Sequence, residues 1–215
     1  MKSLDNSLVN SERVSFSMKT IFNGVMRTTY RGIPALKCPF DYVLYQMIIY
    51  EVNPDLVIEI GTNDGGSTIY IADLLRNIGK GRVHSIDISN KPLNDILLQY
   101  RNIKLFTNGW ENYDLAEANQ VQKIIVIEDS AHTYENTLQV LRKFAPIVSK
   151  NSYFIVEDGI VDELNMVKEY NGGPLAAIKT FLKDNNEFII DRKWCDFYGV
   201  NTTFNVNGYL KKVSV

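Results

Sequence analysis

Residues 56–68, Leu-Val-Ile-Glu-Ile-Gly-Thr-Asn-Asp-Gly-Gly-Ser-Thr, constrain this chain more than any other segment. Four apolar residues, Leu56, Val57, Ile58 and Ile60, surround Glu59, the pattern of a strand covered on both faces. Gly61, Gly65 and Gly66 let the backbone turn sharply and come close to a ligand. Ser67 and Thr68 are candidate N-caps for a helix over 69–78. A strand that feeds a helix N-terminus through glycines is a cradle for a nucleotide-type ligand.

The remaining pattern fits an α/β fold. Strands are expected at 82–87, 103–106, 122–128 and 152–156, and helices at 41–52, 92–100, 110–119 and 134–148. Strand–helix alternation at roughly 20–30 residues implies right-handed crossovers and a mostly parallel sheet with helices on both faces. Asp41 is the expected cap of its helix. Residues 28–39, with Gly32, Pro34 and Pro39, read as an ordered loop. Residues 158–173 read as a polar, loop-like insertion, followed by a helix at 174–182 with Pro174 near its first position. Strands at 188–191 and 209–213 are expected to pair antiparallel at the sheet edge. Residues 1–30 read as an N-terminal arm or helix and 31–215 as one domain.

Composition excludes more than it assigns. The 215 residues are 45% hydrophobic and 22% charged, with a formal net charge of -2, so no global field favours nucleic acid. No apolar run approaches the roughly 18 residues that span a bilayer. The first ten residues are polar and lack a signal-peptide core, so a cytoplasmic location is expected. Cys38 and Cys195 have no metal-type spacing and are expected as buried thiols. His84 lies within a strand and reads as structural, which leaves His132 as the one histidine available for chemistry.

A dinucleotide fold calls for Gly-x-Gly-x-x-Gly, whereas Gly61, Gly65 and Gly66 are spaced differently, which weakens an NAD-dependent oxidoreductase reading. An acidic residue before the first glycine, here Glu59, is common in S-adenosylmethionine (SAM) sites. Asp87 ends the second strand, where a carboxylate accepts hydrogen bonds from a ribose diol in NAD and SAM alike. The absence of lysine and arginine from 59–73 suits a ligand without phosphate. Two further strand ends carry Asp129 and the pair Glu157–Asp158, an all-oxygen set suited to a hard divalent cation. His132, three residues after Asp129, could act there as a general base. Each of these residues has a plainer alternative: Asp87 as a turn residue, the glycines as a tight turn, the carboxylates as solvated helix caps, and His132 as a cap.

The segments Glu59–Ser67, Asp129–His132, Ser152–Asp158, Gly172–Pro174 and Thr203–Val213 together resemble the cephalosporin hydroxylase family, which includes rhamnosyl O-methyltransferases. The resemblance runs from about residue 30 to 213. It implies a Rossmann-like SAM methyltransferase fold, magnesium on Asp129, Glu157 and Asp158, and a base at His132. The implied cofactor set is Glu59, Gly61, Thr62, Gly65, Gly66, Ser67 and Asp87. The expected activity is methyl transfer to a hydroxyl of a sugar or small polar metabolite, by a homo-oligomer. A SAM-binding accessory subunit without its own chemistry is the alternative from another class.

Overall fold

Five consecutive buried positions need cover on both faces, and the fold is arranged to give residues 56–60 that cover. In this computed structural model, residues 14–88, 94–119 and 121–214 are described. Helix α1 (Met18–Val25) and a short hairpin, β1 (Thr29–Tyr30) with β2 (Ile33–Pro34), precede helix α2 (Pro39–Val52). Then follow β3 (Leu56–Ile60), α3 (Gly66–Asn77), β4 (Arg82–Ile86), α4 (Asp95–Leu98), β5 (Ile103–Phe106), β6 (Ile124–Glu128), α5 (Tyr134–Phe144) and β7 (Tyr153–Val156). The chain closes with α6 (Gly173–Asp184), β8 (Phe188–Ile190), α7 (Arg192–Cys195) and β9 (Tyr209–Lys212).

The main sheet has the order β5-β4-β3-β6-β7-β9-β8. Strands β3 to β7 are parallel, and β9 runs antiparallel to both β7 and β8, as the C-terminal strands were expected to do. This is the expected Rossmann-like sheet, mostly parallel with an antiparallel C-terminal edge. Side-chain alternation in β3 separates two cores. Leu56, Ile58 and Ile60 pack with Leu141 and Phe144 of α5 and Ile178 of α6. Val57 packs on the other face with Leu44 and Ile48 of α2 and Leu75 of α3.

Register places the chemistry. Ile60 pairs with Ile86 on one side and Glu128 on the other, and Glu128 pairs with Val156. Gly61, Asp87, Asp129 and Glu157 therefore leave the sheet side by side on its carboxyl edge. The chain crosses over between β3 and β6, and beside such a switch point open α/β sheets bind ligands.

Four local expectations are corrected. Ser67 and Thr68 are not caps: α3 starts one turn earlier, with Gly65 at the cap in the left-handed region (φ 87°). Asp41 is not a cap either, because Pro39 starts α2 after Cys38. The buried Asp41 carboxylate instead accepts hydrogen bonds from Thr203 Oγ1, Phe204 N (3.0 Å) and the Tyr209 hydroxyl (2.9 Å), tying α2 to the last loop. Residues 110–119 form two 3-10 turns, Trp110–Asn112 and Leu115–Ala118, because Asp114 caps the second and interrupts a continuous helix. The segment 158–173 is not simply polar: Ile160 and Val161 are buried, and Ile160 packs with Val25 and Phe204. Of the helix expected at 92–100, residues 92 and 93 lie outside the described residues, as do 1–13 of the arm.

His84 of β4 is structural, as expected, with Nδ1 2.7 Å from the Tyr113 hydroxyl. Burial, reinforced by Arg82 and Lys104, lowers its pKa to about 4. Between that value and the ordinary ~6.5, the unfolded chain binds a proton that the folded chain does not. The contribution is therefore complete above ~6.5 and lost as pH falls towards 4. Urea denaturation should show a loss on the order of 2–3 kcal/mol across that window. His84→Phe should flatten the slope; an unchanged slope would assign the acid sensitivity to another group.

Candidate active site

The turns after β3, β6 and β7 each include a residue in the left-handed region. Gly61 has φ 108°, and three non-glycine residues follow the same course: Asn63 (46°), His132 (55°) and Asp158 (56°). Such conformations are costly for side-chain-bearing residues and persist only where the surroundings enforce them. Gly61 is dictated by contact with its neighbour: a Cβ there would lie 1.9 Å from the Asp129 carbonyl oxygen. The glycine thus serves the close approach of two strand ends. Gly65 and Gly66 likewise face protein, the first against the Leu97 side chain and the second against the Pro34 carbonyl.

These turns line a cavity of about 720 Å³. That lies in the upper part of the ~300–1,000 Å³ range of small-molecule sites, as a cofactor with a second substrate requires. Gly61, Thr62, Asn63, Ser67 and Asp87 line one part of it, with Ile88 and Trp110 beyond. The Asn63 backbone N–H donates to Asp87 Oδ2 at 2.8 Å and orients that carboxylate. Gly65, Gly66 and Glu59 do not contribute to the lining. Glu59 is buried beneath the loop, where its Oε2 accepts from Thr68 Oγ1 and from Ser85 Oγ (3.0 Å). Burial raises its pKa, and the Lys37 charge and nearby hydroxyls oppose that rise.

The other part of the cavity is acidic. Asp129, His132 and Asp158 converge, each offering a ligand atom within 4.8 Å of the others. His132 Nε2 lies 3.8 Å from Asp129 Oδ1 and 3.3 Å from Asp158 Oδ2, and its buried Nδ1 has no hydrogen-bond partner. Burial alone would lower the imidazole pKa, but the charges of Asp158 and Asp129 outweigh it and hold the pKa above the ordinary value. The loop carrying Asp129 and His132 hangs on the buried Glu128, whose carboxylate accepts from Ser130 Oγ (2.5 Å), Asn136 Nδ2 (3.2 Å) and Thr137 Oγ1 (3.3 Å). Asn136 also accepts from Trp110 Nε1 at 3.1 Å, joining the two halves of the wall.

Of the expected ion ligands, Asp158 faces His132, while Asp129 and Glu157 share the Lys37 ammonium. Glu157 is absent from both the cavity lining and the converging cluster. Its Oε1 accepts from the Tyr45 hydroxyl (2.5 Å) and from Lys37 Nζ, which also donates to Asp129 Oδ2 at 2.8 Å. Lys37 is 2% exposed and is the only lysine or arginine among the described lining residues. Burial pulls its pKa down, but Asp129, Glu157 and Glu59 more than compensate and keep the ammonium charged. Burial pushes the Asp129 and Glu157 carboxyls up, and Lys37 draws each back. Sequence reasoning missed Lys37; its one local signal is a lone charge in Ala35-Leu36-Lys37-Cys38-Pro39-Phe40.

A model of the family described as rhamnosyl O-methyltransferase/CmcI matches residues 23–213. The chain belongs to this family. It is 34% identical over 176 residues to a rhamnosyl O-methyltransferase of Mycobacterium bovis (strain BCG / Pasteur 1173P2), covering 78% of this chain and 70% of that protein. The rhamnosyl O-methyltransferase of Mycobacterium leprae (strain TN) is 30% identical over 194 residues, with 85% and 82% covered. Among solved structures, CmcI with Mg and SAM superposes with TM-score 0.67 at 19% identity, over 100% of this chain and 87% of that one. As a member of the rhamnosyl O-methyltransferase/CmcI family, the protein is a SAM-dependent O-methyltransferase.

This family member should not tolerate a side chain at residue 61. Gly61→Ala forces apart the ends of β3 and β6, and thermal denaturation should register a loss of at least ~3 kcal/mol. An alanine variant of unchanged stability would show that the two strand ends separate freely.

Proposed function

We propose that the protein transfers the methyl group of SAM to a hydroxyl of a sugar, with rhamnosyl glycosides as the first acceptors to test. A bacterial surface polysaccharide or a glycosylated secondary metabolite would present such a group. The observation that carries this reading is that Asp87 and the Asp129–His132–Asp158 cluster line one cavity. The mycobacterial relatives are named for action on rhamnosyl groups.

In this reading Asp87 accepts the ribose hydroxyls, with Asn63 fixing its carboxylate. Ile88 and Trp110 flank the adenine, and Gly61, Thr62 and Ser67 border the methionine portion. Glu59, Gly65 and Gly66 act from behind by shaping the loop. A cavity bordered by Asp87, Glu111, Asp129 and Asp158 suits the cationic sulfonium.

The donor set fits a divalent cation of the magnesium type. Two carboxylates converge on one side of the cavity, and their charges hold the His132 imidazole pKa above its ordinary value, so the cluster is short of positive charge that an ion would supply. Asp129 and Asp158 would hold such an ion, with His132 adjacent and Glu157, now on Lys37, as the third carboxylate within reach. When bound, the ion supplies positive charge that lowers the pKa of the acceptor hydroxyl. The acceptor oxygen attacks the methyl carbon, and the carbon–sulfur bond breaks with its electron pair going to sulfur. His132 takes the hydroxyl proton at Nε2, leaving a methyl ether and S-adenosylhomocysteine.

His132→Ala should bind SAM normally in calorimetry and lose at least about a hundredfold in turnover of radiolabelled methyl transfer. Near-normal turnover would remove the base role. Chelation should suppress transfer and added magnesium should restore it, while Asp158→Ala should not respond to magnesium. An identical magnesium titration in that variant would remove Asp158 from the ion site.

A further inference from the structure

We propose that Lys37 is a built-in cation of the acidic edge, clamping Glu157 to Asp129 and competing with a divalent ion for Asp129. The proposal rests on the reading of Asp129, His132 and Asp158 as an ion site, and concerns what opposes ion binding there.

The geometry around Asp129 is two-sided. Its Oδ2 receives Lys37 Nζ at 2.8 Å, while Oδ1 faces His132 Nε2 at 3.8 Å. One carboxylate thus serves an ammonium on one side and the candidate ion site on the other. Lys37 also bonds Glu157 Oε1, which the Tyr45 hydroxyl holds from its other side at 2.5 Å. With both donors in place, Glu157 stays outside the cavity, and the ion site loses a third carboxylate that lies next in sequence to Asp158.

Lys37 is well placed for this role. It sits between β2 and α2 in a loop pinned by its backbone: Ala35 N donates to Thr28 O (3.0 Å), and the Ala35 carbonyl accepts from Lys37 N (2.8 Å) and the Tyr42 hydroxyl (2.9 Å). The ammonium can therefore leave Asp129 only by rotating its own side chain. The Tyr45 ring, with its centroid 5.5 Å from Nζ, offers a face on which a displaced ammonium keeps cation–π attraction. A divalent ion at Asp129 would repel the ammonium and draw electron density from the carboxylate that holds it. Ion binding and the Lys37–Asp129 bond oppose each other, and the lysine keeps the buried carboxylates compensated when no ion is present.

The test is binding, not turnover. Magnesium should bind the full-length Lys37→Met protein about tenfold more tightly, or more, than wild type by calorimetry. The variant should also melt below wild type without magnesium and recover more of its melting temperature on magnesium addition. Equal or weaker binding by the variant, with clear binding by wild type, overturns the competition while leaving the ion site intact. No binding by either protein overturns the ion-site reading and this proposal together. Should Lys37→Met fail to fold, the wild-type chain still decides. The nitrogen resonance of the Lys37 ammonium, assigned by its absence in Lys37→Arg, should shift and lose exchange protection as magnesium is added. An unmoved resonance at saturating magnesium overturns the proposal.

Discussion

The close approach of Gly61 to Asp129 is the contact on which the site depends. Strand β3 is bonded on one side to β4 and on the other to β6, from opposite halves of the chain. The ladder continues one residue past the strands, with Gly61 N donating to Ile86 O (2.8 Å) and Asp129 N to Ile60 O (2.8 Å). Those two bonds carry sheet register out to the loops, where catalytic geometry is set. A side chain at 61 would lie on the Asp129 backbone. The space for Asp129 beside the cofactor loop exists because residue 61 has none.

Beyond that contact, carboxylates divide into two sets by the side of the loop they occupy. Glu59, Glu128 and Glu157 are buried, whereas Asp87, Asp129 and Asp158 line the cavity. In Glu128–Asp129 and Glu157–Asp158, adjacent residues differ in role because successive side chains leave a strand end in opposite directions. Each inner glutamate holds an outer segment: Glu59 the start of α3, Glu128 the loop to His132, and Glu157 the Lys37 segment. Burying a carboxylate is costly without such partners. Hydroxyl and amide donors offset it at Glu59 and Glu128, and a tyrosine hydroxyl with an ammonium offsets it at Glu157. Removing one partner from a buried ion pair typically costs about 3–5 kcal/mol.

What could be read from residue order is what short-range patterns determine. The apolar run at 56–60, the glycines after it and the acidic strand ends at 87, 129 and 157–158 were legible, because strand period and turn chemistry are local. Parallel register then brings those ends together without further information. Lys37 was not legible as a site residue, since its partners are 92 and 120 positions away. The separate fates of Glu157 and Asp158 were hidden for the same reason: nothing local says which of two adjacent carboxylates meets an ammonium. Asp41 misled because an acidic residue near a helix start is normally a cap, yet here tertiary bonds to Thr203, Phe204 and Tyr209 claim it. Ser67 and Thr68 misled likewise, since Gly65 reaches the left-handed cap conformation more readily and frees Thr68 to bond Glu59.

Charge also explains why an acidic edge can serve a reaction that builds negative charge on oxygen. A hydroxyl losing its proton beside Asp129 and Asp158 would be repelled by both. The sulfonium favours the same carboxylates before transfer and stops doing so once the methyl group has left. An edge of carboxylates alone would therefore stabilise the reactants more than the transition state, the wrong direction for catalysis. Positive charge near the acceptor reverses this; in the proposed reading an ion held by Asp129 and Asp158 would supply it, and the adjacent imidazole becomes cationic on accepting the proton. Lys37 on Asp129 Oδ2 leaves Oδ1 for the acceptor side, so neutralisation does not consume the whole carboxylate. In the proposed reading, the arrangement keeps negative charge where a cationic cofactor needs it, and a bound ion would compensate it where the developing alkoxide would suffer from it.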